Sequence, residues 1–117
     1  MMPGPIPKRP DERRRMSRAS TATTLRTPDE VEIYVPPLPE GIDWAPRTIA
    51  WWHAVWRSPM AAEWLDADLT GLLVLAQLLN EFWDAPGPTL AQEVRLHLAE
   101  FGLTPIARRR LQWEIDG

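Results

Sequence analysis

The chain has 117 residues, a net charge of −3, seven tryptophans and no cysteine, which excludes disulfides and thiolate chemistry and is compatible with a reducing cytoplasm. The net charge hides a split: residues 1–27 carry seven Lys/Arg against Asp11 and Glu12, a net of +5, whereas residues 28–117 carry six Arg against fourteen acids, a net of −8. A polyanion therefore meets the N-terminal arm first and is repelled by the body except at local patches.

Residues 1–28 open with Pro3, Pro5, Pro7 and Pro10, which lack amide donors and fix φ, so no helix forms there. The arginine run Arg13-Arg14-Arg15 and the Ser/Thr stretch behind it show no apolar periodicity, and the segment is expected to be disordered until bound. No apolar segment follows these arginines, so they do not begin a secretory signal. Val31 to Val35 alternate like a strand, but Pro36, Pro37 and Pro39 stop it and no partner strand is evident. The expectation is an extended segment lying on a helical surface or a neighbouring subunit.

Helices follow. Pro46 to Arg57 places Ile49, Trp51, Trp52, Val55 and Trp56 on one wide arc, with proline at the first turn where its missing donor does no harm. Ser58 and Pro59 open a short helix to Leu65. Asp66 caps a longer one, Ala67 to Asp84, whose apolar residues cover most of its circumference and mark it as central to the domain or to an oligomer interface. Its longest apolar run, Leu72–Ala76 with Leu78 and Leu79, is broken by Gln77 and falls short of the roughly 20 residues of a membrane span. After Pro86-Gly87-Pro88, Thr89 and Gln92 make a capping-box pattern for a helix with the stripe Leu90, Val94, Leu98 and Phe101, closed by Gly102. Thr104-Pro105 opens a last helix to about Ile115, in which Arg108, Arg109 and Arg110 near the start and Glu114 and Asp116 at the end oppose the helix dipole.

The expected fold is all-α: a small bundle of four to five helices, residues 41–117, acting as an oligomerisation domain behind a flexible, basic and Pro-rich arm and extended linker, residues 1–40. A folded part of about 75 residues buries a limited core, and association with copies of itself relieves that deficit.

No catalytic constellation assembles from the sequence. There is no strained nucleophile turn and no Gly-rich phosphate loop. Asp66 and Asp68 are better read as helix-start residues than as metal ligands, and His53 and His97, far apart in sequence, as packing or surface residues. Neither a cofactor nor a metal is implied. Some of Trp51, Trp52 and Trp56 fill the core and some reach a neighbouring subunit, and Phe82 and Trp83 of the central helix are expected at the subunit interface too. Base stacking is disfavoured because the local surroundings are not basic. Lys8, Arg9, Arg13, Arg14, Arg15 and Arg18 can neutralise phosphates and release counterions, or serve only as a solubilising tail.

Three segments resemble bacteriophage terminase small subunits, of the type found in phages of actinobacteria: the opening Pro-Gly-Pro-Ile-Pro-Lys-Arg, Trp51-Trp52-x-x-x-Trp56-Arg57-Ser58-Pro59, and Phe101-Gly102-Leu103-Thr104-Pro105 within residues 93–115. The resemblance covers nearly the whole chain. It implies a subunit without a catalytic site, working in the cytoplasm of the bacterial host. Such a subunit recognises the packaging start on viral double-stranded DNA, assembles as a homo-oligomeric ring and hands DNA to the large terminase subunit, the ATPase and nuclease. DNA contacts are placed on the arm, because helix 67–84 is too apolar to lie in a groove. The large-subunit contact is placed on the last helix, at Arg108, Arg109, Arg110 and Trp113. No membrane partner is expected. The alternative is a protein–protein adaptor in head assembly or regulation that does not bind DNA.

Overall fold

The computed structural model describes residues 22–116 and is mostly helical, with one two-stranded sheet. In chain order come strand β1 (Thr23–Leu25), a 3-10 turn (Glu30–Glu32), helix α1 (Pro46–Trp56), two 3-10 turns (Pro59–Glu63 and Asp66–Asp68), helix α2 (Leu69–Asp84), helix α3 (Pro88–Glu100), helix α4 (Pro105–Arg110) and strand β2 (Trp113–Ile115).

Helix α2 is the centre. Its Leu72 and Ala76 enclose Trp52 of α1, while Leu75 and Leu79 on its other side pack against Val94 of α3. Trp51 and Phe101 touch both clusters and join them. Gly71 sits inside α2 where the Phe101 ring comes closest: a Cβ there would lie 2.7 Å from Phe101 Cζ, so this glycine trades helix propensity for a close approach.

The extended segment before α1 lies on the helical surface. Val35 and Leu38 pack against the α1–α2 cluster. Trp52 Nε1 donates to the Pro36 carbonyl at 2.6 Å and Trp44 Nε1 donates to the Pro39 carbonyl at 2.9 Å. Prolines offer carbonyls without competing amides, so indole donors strap the segment to the body and no neighbouring strand is needed.

Several expectations change. Thr23–Leu25, expected within a disordered arm, is a strand paired in parallel with Trp113–Ile115, in the register Thr23 to Trp113 and Leu25 to Ile115; Leu25 is buried. The last helix ends at Arg110 rather than near Ile115, and Gln112, at φ 60°, turns the chain into β2. Shortening the helix removes the dipole conflict: Arg108, Arg109 and Arg110 now fall in its last turn, where cations are favourable. The fold is thus mostly helical rather than all-α.

The caps also differ. Ser58 makes no side-chain cap, and its hydroxyl donates instead to the Val55 carbonyl at 2.6 Å. Asp68, not Asp66, closes the turn before α2 by accepting the Leu65 amide at 2.8 Å. Helix α3 begins at Pro88 with Gly87 as its cap residue, so the Thr89–Gln92 box is not formed. Gly102 does end α3, at φ 73°. Its amide donates to Ala99 O at 3.1 Å and the Leu103 amide to Leu98 O at 2.9 Å, the paired bonds of a Schellman turn.

Candidate functional site

Lys8, Arg9, Arg13, Arg14, Arg15 and Arg18 lie outside the described residues. The other candidate side chains are placed, and they separate into three regions.

The first is an aromatic ladder inside the body. Consecutive ring centroids are 6.1 Å apart for Trp51–Trp52, 5.7 Å for Trp52–Trp56, 5.1 Å for Trp56–Trp64 and 6.1 Å for Trp64–Phe101, the last three edge-to-face. Such pairs contribute about 0.5–1.5 kcal/mol each beyond the area they bury. Trp52, expected at a subunit interface, is 1 % exposed and has no surface left for a neighbour. Trp51 and Trp56 are partly buried against the same cluster. Trp56 keeps its Nε1 buried without a hydrogen-bond partner among the described residues.

The second region is the end of α2. Trp83 is 37 % exposed, with Phe82 edge-on to it at 5.6 Å and the Arg47 guanidinium 5.1 Å from its ring centroid. A shallow groove beside it is lined by Trp44, Asn80, Glu81 and Asp84 among others. Asn80 is the residue that sequence reasoning missed. Its Oδ1 accepts from the Ala45 amide at 2.8 Å and the Thr48 hydroxyl at 2.9 Å, and its Nδ2 donates to the Asp43 carbonyl at 3.0 Å. Ala45 has no side-chain acceptor with which to cap α1, so Asn80 fixes that helix start from 35 residues away. The only sequence signal was an amide side chain, one of two with Gln77, in a largely apolar helix.

The third region is the C-terminal end. Arg108 is turned inward, donating from Nη1 to the Gly102 carbonyl at 2.9 Å, whereas Arg109 and Arg110 are exposed. Trp113 lies on Gly102 so closely that a Cβ there would collide with its ring at Cζ3. Trp113 is therefore committed to a contact inside the protomer, and of the four residues expected to meet the large subunit only Arg109 and Arg110 present free charge. Between the two 3-10 turns before α2, the end of α3 and the start of β2 lies a groove of about 380 Å³, lined by Glu63, Trp64, Asp68, His97, Glu100, Phe101, Leu111 and Trp113. A second groove, between α3 and α4, is lined by Leu96, Ala99, Ile106, Arg95, Glu100 and Arg110 among others.

His53 is exposed, and His97 turns its Nδ1 to the Glu93 carbonyl at 2.8 Å. Among the described residues no group of three or more His, Asp or Glu side chains is arranged to hold a metal ion, and no helix is long and apolar enough to cross a membrane. Among the described residues, a perturbed charge pair lies at the 3-10 turn after β1. Glu32 is held below the usual carboxylate range by its hydrogen bond from Arg26 and by the Asp29 amide, and Arg26 is raised in turn by Glu32. This exposed pair, 3.0 Å apart, ties the turn to the strand.

Fold and surface together define a small, mostly helical protein that offers exposed aromatic and charged surfaces around a packed aromatic interior. The chain matches the model of the phage terminase small subunit family over residues 2–117 and belongs to that family; its role lies in phage DNA packaging. No curated protein and no solved structure matches it significantly.

Proposed function

We propose that this chain is the DNA-recognising, non-catalytic subunit of the packaging motor, acting in the cytoplasm of the bacterial host. An arm within residues 1–40 binds viral double-stranded DNA at the packaging start through Lys8, Arg9, Arg13, Arg14, Arg15 and Arg18. A body within residues 41–117 assembles as a ring and presents DNA to the large subunit, which supplies the ATPase and nuclease. The observation that carries this reading is the family match over residues 2–117. The charge split supports the division of labour, because the arm holds a net +5 and the body a net −8.

Trp83, Phe82, Trp51 and Trp56 are the proposed subunit contact; Trp52 is left out because it is enclosed. Exposed aromatic rings beside an arginine have the composition of interface anchors. Arg109 and Arg110 are the proposed contact with the large subunit. Native mass spectrometry at micromolar concentration should show a closed oligomer, and only monomer there refutes the assembly. For the arm, Arg13→Ala, Arg14→Ala and Arg15→Ala together should weaken binding to viral end DNA and reduce its salt slope by about 3, since each phosphate contact contributes roughly 0.9. An unchanged slope removes the arm from the DNA interface.

A further inference from the structure

We propose that the groove between the two 3-10 turns before α2, the end of α3 and the start of β2 is the docking site of this chain's own arginine segment, residues 13–18, and that this segment exchanges between the groove and DNA. Three observations meet there. The groove is lined by Trp64, Phe101, Leu111 and Trp113 together with Glu63 and Glu100, and no lysine or arginine among the described residues lines it. Asp68 accepts the Leu65 amide through one of its oxygens, and Glu63 and Glu100 form no ion pair among the described residues.

The second observation is where the arm joins the body. Strands β1 and β2 are parallel, Thr23 sits opposite Trp113, and the Thr23 amide donates to the Gln112 carbonyl at 2.6 Å. The chain preceding Thr23 therefore attaches at the end of the sheet where Leu111 and Gln112 enter it, and both Leu111 and Trp113 line the groove. Paired strands lie about 4.8 Å apart. Arg18 is five residues before Thr23, a reach of up to about 18 Å, and Arg15 is eight residues before it, a reach of up to about 29 Å. The groove is within range of both.

The third is chemical fit. A guanidinium lays its face on an aromatic ring while its N–H groups meet carboxylates, and this groove supplies both. Its walls are set in advance: Trp64 donates to the Phe101 carbonyl at 3.1 Å, and Trp113 rests on Gly102. Each contact is weak alone, but a short tether gives an effective concentration in the millimolar range. Docked arginines are withdrawn from phosphates, so DNA competes with the body's own carboxylates. This consequence, unlike the docking itself, rests on the arm's proposed DNA role.

The test uses the full chain. In 15N-resolved NMR spectra, Arg14→Ala/Arg15→Ala/Arg18→Ala should move the indole signals of Trp64 and Trp113 while leaving that of Trp52 in place, as should raising NaCl from 20 to 500 mM in the unsubstituted protein (about the range over which the Debye length falls from ~20 to ~4 Å). Unmoved Trp64 and Trp113 signals overturn the docking. Shifts that vanish on dilution overturn the assignment to the same chain and give the groove to a second copy's arm. Separately, Glu63→Gln/Glu100→Gln should tighten binding to a 30-base-pair DNA at low salt by about three- to tenfold. If the indole signals respond while DNA affinity does not, docking stands and competition with DNA is refuted.

Discussion

Trp52 and Trp83 are the same residue type on adjoining helices, put to opposite uses. Trp52 is enclosed by α2, lies edge-to-face with Trp56 and has its indole donor closed on the Pro36 carbonyl. Trp83 stands at the end of α2 with more than a third of its surface open and an arginine across its face. Counting tryptophans in the sequence could not separate them. What separates them is whether the indole N–H has a partner in the same protomer and whether the ring has packing on both faces. In a body of this size every large ring placed inside is needed for stability, so a ring left outside is available for other work.

The largest effect should fall on the inner tryptophan. Trp52→Ala removes a fully buried indole and orphans the Pro36 carbonyl, and a loss of about 3–5 kcal/mol is expected from chemical denaturation. Trp52→Phe separates the two contributions: it keeps most of the packing but removes the donor, with an expected loss of about 1–3 kcal/mol. If Trp52→Ala falls within 1 kcal/mol of the unsubstituted protein, the enclosed position assigned to Trp52 is wrong.

Asn80 comes next. Asn80→Ala breaks three hydrogen bonds and leaves the fully buried Thr48 hydroxyl without its acceptor, which should lower stability by about 2–3 kcal/mol. Helix α1 carries both Arg47 and Trp52, so loosening its start should also disturb the stacking of Arg47 on Trp83. A chemical-shift change at the Trp83 indole in Asn80→Ala would link the two regions; a spectrum unchanged at Trp83 would show them to be independent.

Gly102→Ala should cost about 1–2 kcal/mol, because its φ of 73° disfavours a side chain and a Cβ collides with Trp113. The damage should be local. Amide exchange at Leu25, whose strand is held by β2, should accelerate, while amides in the middle of α2 stay protected. Uniform loss of protection would mean that the small sheet and the helical core unfold as one unit.

The helices were legible from residue spacing because most of their apolar stripes face one packed interior. The Trp arc of α1, the nearly all-apolar α2 and the Gly102 stop all read directly from local sequence. The sheet was not legible: its two strands have three residues each and lie almost 90 residues apart, so neither carries enough alternation to stand out. β2 in particular reads as the tail of a helix until Gln112 reverses the chain. Asn80 was hidden for a related reason, since its role is to satisfy a distant helix start and leaves no local pattern. At the candidate site, the sequence marked the right residue types but could not say which tryptophans were already used. Trp52 and Trp113 are both consumed by contacts within the protomer.

The smallest effect on stability should come from the outer tryptophan, and there the comparison is sharpest. Trp83→Ala removes a half-open ring whose main contacts are Phe82 and the flexible side chain of Arg47. Measured at a concentration where the unsubstituted chain is monomeric, its stability should change by no more than about 1 kcal/mol. Dilution matters, because an interface residue contributes to apparent stability through association as well as through folding. At micromolar concentration the same variant should shift the mass distribution toward smaller species, whereas Trp52→Phe should leave the masses of its folded fraction unaltered. A Trp83→Ala protein that loses several kcal/mol as a monomer yet assembles normally would place Trp83 with Trp52 as part of the fold, and the subunit contact would then have to be sought elsewhere on the body.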